Sequence, residues 1–187
     1  MTRAALDPFV SVQKATRAHV RVHGCGAYTY ADGLLPGVVA GIAGARRIVE
    51  VGTALGYTAL WLAFGSPEAH VDTIEADGEH VALARSAITD HGLSARVTVR
   101  HGEAGTVLAS LDRAAYDIAF FDGFTPTLAT ITAMRALLRS GGTLVAGNLT
   151  LEPNADVTAD LYDPDRWLTR SLGETALCVK KLSLIHI

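Results

Sequence analysis

From residue 47 onward, short runs rich in Val, Ile and Phe alternate with longer stretches in which apolar residues recur at helical spacing. This alternation is typical of a parallel sheet whose strands are connected by crossover helices. Five such strands are predicted, at residues 47–52, 71–76, 96–102, 117–122 and 143–148. The sequence therefore predicts an α/β fold with a doubly wound, mostly parallel sheet.

Helices are predicted before and between these strands, at residues 8–22, 34–43, 57–64, 78–90, 104–111 and 126–138. Thr125 and Pro126 form a pairing that is common at helix starts. A C-terminal antiparallel hairpin is predicted from residues 167–171 and 175–181, with its turn at Gly173. We expect residues 1–45 to form an N-terminal helical lid or arm of the same domain as residues 46–181, and residues 182–187 to be a non-native tail.

Composition limits the class of protein. The chain has 187 residues, of which 49% are hydrophobic and 19% charged, as expected for one globular domain. It has neither a membrane-spanning apolar stretch nor a signal-peptide core, which predicts a cytoplasmic protein with no membrane partner. The net charge of -3 comes from interleaved acids and bases, which argues against a nucleic-acid partner. Because Cys25 and Cys178 have no CxxC or Cys/His spacing, neither a zinc site nor a disulfide is predicted.

The most informative segment is residues 49–58, an apolar strand that runs through a glycine loop directly into a helix. Gly52 and Gly56 allow a ligand to approach the backbone at the carboxyl edge of the sheet. Glu50 precedes the loop, where a carboxylate repels phosphate and attracts an ammonium group. Glu75 ends the second strand, where an acidic residue accepts hydrogen bonds from both ribose hydroxyls in Rossmann-type sites. S-adenosylmethionine (SAM) carries an ammonium, a sulfonium and a ribose, and is therefore the cofactor indicated.

The segments IVEVGTALGYTALWLA and VDTIEADGEHVALAR resemble motifs I and II of the bacterial O-methyltransferases related to catechol and caffeoyl-CoA O-methyltransferases. The resemblance extends from about Leu34 to Lys181 and implies a class I, Rossmann-like fold, methyl transfer from SAM to an oxygen of a small molecule, and a homodimer. By this resemblance the residues around SAM are Glu50, Gly52, Thr53, Gly56, Thr58, Glu75, Gly102, Glu103, Ala104 and Asp122.

The sequence departs from this family at its metal and base positions. Metal-dependent members carry an Asp after the fourth strand and an Asp-Asn pair after the fifth, where this chain has Asp122, Gly147 and Asn148. The loss of one carboxylate makes a divalent metal doubtful, and no metal ligand is predicted. The family's Lys is replaced by Thr125. Asp122 and Asn148 remain the candidate catalytic residues.

Several alternatives stay open at this stage. Asp122, His23 or His101 could replace the missing base, because a histidine titrates near neutral pH. Phe124 is a candidate for the acceptor pocket, whereas Trp61 is expected in the core. The chain could also be a catalytically degenerate SAM-binding partner protein. A nicotinamide-dependent oxidoreductase is less favoured, because the loop lacks the GxGxxG spacing of dinucleotide sites.

Overall fold

The computed structural model describes residues 7–182, so most of the predicted tail lies outside the described residues. The helices are α1 (Val10–His23), α2 (Leu34–Ala43), α3 (Tyr57–Gly65), α4 (Gly78–Asp90), α5 (Ala104–Ala109), α6 (Leu128–Leu137) and α7 (Ala155–Leu161). The strands are β1 (Arg47–Val51), β2 (His70–Glu75), β3 (Val97–His101), β4 (Tyr116–Phe121), β5 (Leu138–Ala146), β6 (Trp167–Leu172) and β7 (Thr175–Lys180).

The seven strands form one sheet in the order β3-β2-β1-β4-β5-β7-β6. The first five are parallel, and β7 is antiparallel to both β5 and β6. This arrangement confirms the predicted doubly wound sheet and the C-terminal hairpin, which turns at Gly173 with φ +60°. The strand order reverses at β1, which lies between β2 and β4, and ligands of such sheets bind at this reversal.

Each face of the sheet carries its own apolar cluster. One cluster joins β1 and β4 residues with α3 and α4, and it includes Phe9 and Val12 from the N-terminal segment. The other cluster packs β4, β5 and β7 against α5, α6 and α7. Both faces of β1 are therefore covered, which explains the nearly unbroken apolar character of this strand. In the described part of the chain, no helix has the length and apolar character needed to cross a membrane.

Three local predictions were wrong or incomplete. Helix α6 begins at Leu128, not at Pro126, because Thr127 is extended and its Oγ1 accepts a hydrogen bond from the N–H of Thr130 (3.1 Å). Strand β5 begins at Leu138, not at residue 143, so it includes Gly141 and Gly142, at a register irregularity opposite β4. Helix α7 was not predicted, since only two turns of helix follow its cap at Asn154.

Candidate active site

A cavity of about 610 Å³ lies at the carboxyl edge of the sheet, where the strand order reverses. Backbone hydrogen bonds continue just past the strand ends, from Gly52 N–H to Ile74 O (3.1 Å) and from Asp122 N–H to Val51 O (2.9 Å). These bonds bring the loops after β1, β2 and β4 to one edge. The cavity is lined by residues 26–31, Gly52, Ala54, residues 75–77, His80, residues 122–124, Asn148, Leu151 and Glu174.

The glycine loop after β1 forms the floor of the cavity. Gly52 has φ +96°, a conformation that residues with a Cβ atom rarely adopt. A Cβ atom at this position would lie 2.6 Å from the carbonyl oxygen of Asp122, so only glycine lets the two loops approach this closely. Gly56 also has a positive φ, +93°, and directly precedes α3. The local sequence therefore presents bare backbone to a ligand at this edge.

Glu75 lies at the end of β2 and faces the same cavity. Its Oε2 accepts a hydrogen bond from the N–H of Ala54 (2.9 Å), and its Oε1 accepts one from the N–H of Asp77 (3.0 Å). These bonds hold the carboxylate between the glycine loop and the start of α4. A carboxylate has further acceptor capacity on each oxygen, so Glu75 can still bind two hydroxyl groups.

Glu50 lies beneath the glycine loop and is fully buried. Its Oε2 accepts a hydrogen bond from Thr73 Oγ1 (2.6 Å), whereas its Oε1 has no partner among the described residues. Burial raises the pKa of Glu50 well above its usual value, and the nearby carboxylates of Asp122 and Glu75 raise it further. A cation bound near this carboxyl would favour its charged form.

Asp122 and Asn148 lie side by side, on the loops after β4 and β5. Asn148 has φ +60°, and its Nδ2 donates to the carbonyl oxygen of Gly123 (2.7 Å) and more weakly to Asp122 Oδ1 (3.3 Å). Burial raises the pKa of Asp122 to about 8, against the opposing effect of the Asn148 hydrogen bond. An Asp122 carboxyl with this pKa can take up or release a proton near neutral pH.

The surroundings of Gly147 do not fit the divalent metal of related enzymes. A Cβ atom at this position would lie 3.0 Å from Phe121 O and 3.6 Å from the Tyr30 ring, so little space is left for a carboxylate. Tyr30 is held there by a hydrogen bond between its hydroxyl and Thr175 Oγ1 (2.7 Å). Asn148 also directs its amide N–H, not its oxygen, toward Asp122. Asp122 is thus the one carboxylate among Asp122, Gly147 and Asn148, too few hard oxygen ligands for a divalent metal.

The structure brings some of the predicted site residues to the main cavity and leaves others outside it. Gly52, Glu75, Asp122 and Asn148 line the cavity, as does Phe124. Thr53 and Thr58 line a small neighbouring cavity together with Gly52 and Asp122. The remaining predicted residues are not among the lining residues of either cavity: Glu50, Gly56, Gly102, Glu103 and Ala104.

The alternative bases lie away from this cavity. His23 is exposed at the end of α1, and its ring stacks on that of His19. His101 contacts the carbonyl oxygen of Ala76 through Nε2 (3.2 Å) at the rim of the sheet. Neither histidine is a lining residue, which leaves Asp122 as the base candidate. Trp61 is buried against Phe9, as expected for a core residue.

Sequence reasoning missed several contributors to the site. Thr73 holds Glu50 and also bonds to Thr53 Oγ1 (2.5 Å), although a threonine inside β2 carries no distinctive motif. Tyr30 also contributes to the site, but nothing in the loop sequence relates it to Gly147. Asp77 was detectable, because it directly precedes the helix predicted from residue 78 and Asp is a common N-cap residue. Its side chain accepts hydrogen bonds from the N–H groups of Glu79 and His80.

Comparison with known proteins agrees with this architecture. Residues 49–149 match a family described as a methyltransferase domain. The match covers more than half of the chain and runs from β1 to the residues after β5 that form the cavity edge. The chain therefore belongs to this methyltransferase family.

Curated relatives carry the name O-methyltransferase. A protein of Mycobacterium sp. strain KMS is 35% identical over 145 residues, which cover 75% of this chain and 66% of that relative. A Mycobacterium tuberculosis protein is 37% identical over 131 residues, which cover 68% of this chain and 58% of that relative. The chain thus matches less than two thirds of the length of these relatives.

Solved structures share the fold over nearly the whole chain. The O-methyltransferase TomG from Streptomyces achromogenes, solved in complex with SAM, has a TM-score of 0.79 and 25% identity, covering 95% of this chain and 96% of that one. An O-methyltransferase from Bacillus cereus, solved in complex with SAH, has a TM-score of 0.77 at 24% identity, covering 95% and 97%. The expected class I, Rossmann-like methyltransferase fold is confirmed.

Proposed function

We propose that this protein transfers a methyl group from SAM to an oxygen nucleophile of a small molecule, without a divalent metal. One observation carries the proposal: Gly52, Glu75 and Asp122, from three different strand ends, line a single cavity at the reversal of strand order. Family membership and the SAM found in TomG support the same conclusion. When bound, SAM supplies an electrophilic methyl group on a sulfonium.

The residues of this chain have separate tasks in the proposal. The backbone of Gly52 and Ala54 admits the cofactor, and Glu75 accepts hydrogen bonds from its ribose hydroxyls. Glu50, whose Oε1 has no hydrogen-bond partner among residues 7–182, places an ionisable carboxyl beneath the loop for the cationic end of the cofactor. By the family resemblance, residues 102–104 at the end of β3 border the adenine, although they line neither cavity. Thr53 and Thr58 support the methionine portion of the site.

Asp122 is the proposed catalytic residue, and Asn148 positions it. In its ionised form the Asp122 carboxylate would accept the proton of an acceptor hydroxyl held beside it. The methyl group would pass to that oxygen as its bond to the sulfonium sulfur breaks, which leaves the neutral thioether of demethylated SAM. Much of the acceleration comes from alignment of the nucleophile with the methyl group, so a single modest base is sufficient. Phe124 is 65% exposed at the cavity mouth and offers an aromatic surface to the acceptor. Phenols and carboxylic acids need the least help in losing a proton and are the preferred acceptor classes.

Calorimetric titration and a turnover assay test this function. We expect SAM and its demethylated product to bind with one-to-one stoichiometry and NAD not to bind; binding of NAD alone would reject the proposal. Turnover of a phenol or a carboxylic acid, unchanged by added Mg²⁺ or Mn²⁺, would support metal-independent catalysis. Stimulation by either ion would contradict our interpretation of Gly147 and Asn148.

A second candidate is a SAM-binding partner protein that has lost catalysis. The replacement of the family's Lys by Thr125 and of its Asp by Gly147 favours this alternative. The same experiment separates the two, because a degenerate protein binds SAM with no turnover across the acceptor panel. A nucleic-acid acceptor is not expected for a chain with a net charge of -3, and a cytoplasmic location stays a prediction.

We further propose a homodimer formed through α2. Leu34, Val38 and Ile42 lie four residues apart on this helix and are 52%, 45% and 85% exposed. This spacing places them on one face, where a second copy of the chain can cover them. Sedimentation should show a dimer that Ile42→Glu converts to a monomer, while Val22→Glu on α1 leaves it unchanged. A wild-type monomer at high concentration would overturn the proposal.

A further inference from the structure

Three side chains that commonly bind metals meet beside the cavity, although they come from different parts of the sequence. His19 lies in α1, Cys25 follows the end of that helix, and His80 lies in the first turn of α4. One ligand atom from each lies within 4.8 Å of the other two. His80 is buried, and the other two are half-buried, so the cluster is partly shielded from water.

The end of α1 explains how Cys25 reaches the two histidines. Gly24 has φ +63°, and its N–H donates to the carbonyl oxygen of Val20 (2.8 Å). This left-handed residue ends the helix and turns the chain back. The ring of His19 meets that of His80 edge-on, with centroids 5.2 Å apart and an angle of 78° between the planes.

We propose that His19, Cys25 and His80 form a zinc site. Two imidazoles and a thiolate are a donor set that zinc prefers over magnesium or calcium. Tetrahedral zinc separates its nitrogen and sulfur ligand atoms by about 3.3–3.6 Å, so ligand atoms that lie within 4.8 Å of one another need to close by at most about 1.5 Å. A water molecule or a small anion completes the coordination.

Glu75 supports this assignment from outside the cluster. Its Oε1 lies 3.8 Å from Nδ1 of His80. We assign Nε2 of His80 to the metal, which leaves Nδ1 facing the carboxylate at a distance longer than a hydrogen bond. Histidine ligands of zinc commonly donate their second N–H to such a carboxylate, which fixes the ring. The same carboxylate faces the cofactor cavity, so the two sites share a residue.

A competing set of His19, His23 and Glu79 satisfies the same distance limit but fits less well. The rings of His19 and His23 stack with centroids 4.3 Å apart and only 22° between their planes. The ring nitrogens of stacked imidazoles point side by side, and do not converge on one ion. His23 and Glu79 are also exposed, where water competes for the metal.

Zinc at this site would connect α1 to α4 and hold the loop that follows Cys25. All six residues of this loop, 26–31, line the cofactor cavity. Zinc bound there would therefore order the loop, and this inference does not depend on methyl transfer. If the binding of zinc and of SAM is coupled, zinc raises the affinity for SAM by the same factor as SAM raises the affinity for zinc.

The test uses the full chain, freed of metal by chelation and dialysis. Titration with Zn²⁺ should show one tight site per chain and a higher thermal midpoint, whereas Mg²⁺ should cause neither change. Co²⁺ used as the probe should give an intense tetrahedral absorption spectrum with a thiolate-to-cobalt charge-transfer band. Absence of a tight site, or of the charge-transfer band, would overturn the proposal.

Substitutions identify the ligands. Cys25→Ser and His19→Asn should each weaken zinc binding by at least about 100-fold, the upper end of the loss seen for outer partners of metal ligands. His70→Asn, at an exposed histidine of β2, and His23→Asn should bind as the wild type does. Zinc binding that survives Cys25→Ser, or that requires His23, would reject the assignment. Melting curves recorded without metal check that the variants fold. If the variants do not fold, the cobalt spectrum of the wild-type protein tests the proposed site by itself.

Discussion

Gly52 and Asp122 lie so close that a Cβ atom on Gly52 would stand 2.6 Å from the carbonyl oxygen of Asp122. The two residues follow neighbouring parallel strands, β1 and β4, at the edge where the cofactor cavity opens. Their contact therefore sets the distance between the glycine loop, which we assign to cofactor binding, and the carboxyl group that we assign to catalysis.

Gly52→Ala should destabilise the protein and weaken SAM binding, because the new methyl group forces the two loops apart. Gly92→Ala is a matched control, since Gly92 has φ +70° and no other atom of residues 7–182 comes within 4 Å of where its Cβ would lie. The free energy of unfolding of this control should fall by about 1–2 kcal/mol, because alanine is strained in the left-handed backbone conformation. Gly52→Ala should lose more stability than this control, and its affinity for SAM should fall at least tenfold. Equal losses in denaturant unfolding would show that the close approach is unimportant.

Glu75→Gln should lower the affinity for SAM by roughly 10–100-fold, the value of one or two hydrogen bonds to a charged acceptor. The amide keeps the size of the side chain but loses the charge and one acceptor oxygen. Titration calorimetry measures the change, with Glu68→Gln at an exposed position as the control. Unchanged affinity in Glu75→Gln would remove the ribose assignment.

The stability of the cofactor-free protein should fall as the pH rises toward 8. Asp122 has a folded pKa of about 8, above the value of 3.8 for an unperturbed Asp, so its stabilising contribution is complete below about pH 4 and is lost as the pH rises through 8. Glu50 shifts in the same direction. One such carboxyl changes the free energy of unfolding by at most about 1.4 kcal/mol per pH unit.

Asp122→Asn removes one of these groups and should flatten the dependence between about pH 5 and pH 8. Asp90→Asn, at an exposed carboxyl near the end of α4, should leave the slope as it is in the wild type. Urea unfolding at several pH values supplies the comparison. A slope in Asp122→Asn as steep as that of the wild type would mean that Asp122 titrates normally.

Tyr30→Phe should lower the free energy of unfolding by about 1 kcal/mol, because Thr175 Oγ1 loses the hydroxyl that it contacts at 2.7 Å. The loop of residues 26–31 should also become easier to cleave by protease. Tyr28→Phe is the control, since Tyr28 is 66% exposed and its change should stay within about 0.5 kcal/mol. Equal behaviour of the two variants would argue against a role for Tyr30 in holding the loop.

Sequence alone determined the features that depend on neighbouring residues. The apolar runs predicted β1 to β5, the glycine spacing predicted the loop at Gly52, and the position of Glu75 at the end of β2 predicted an acceptor at the cavity. These features are readable because strand and helix periodicity and positive-φ turns are properties of short segments.

Only the tertiary structure decided which distant residues meet. It placed Tyr30 beside Gly147, buried Glu50 beneath the loop, and brought His19, Cys25 and His80 within reach of one ion, although the cysteine spacing predicted no zinc site. Such contacts join segments separated by tens of residues, and their distances depend on how helices and loops pack on the sheet. No local sequence pattern predicts that packing, because the periodicity of a segment is the same whichever segments it packs against.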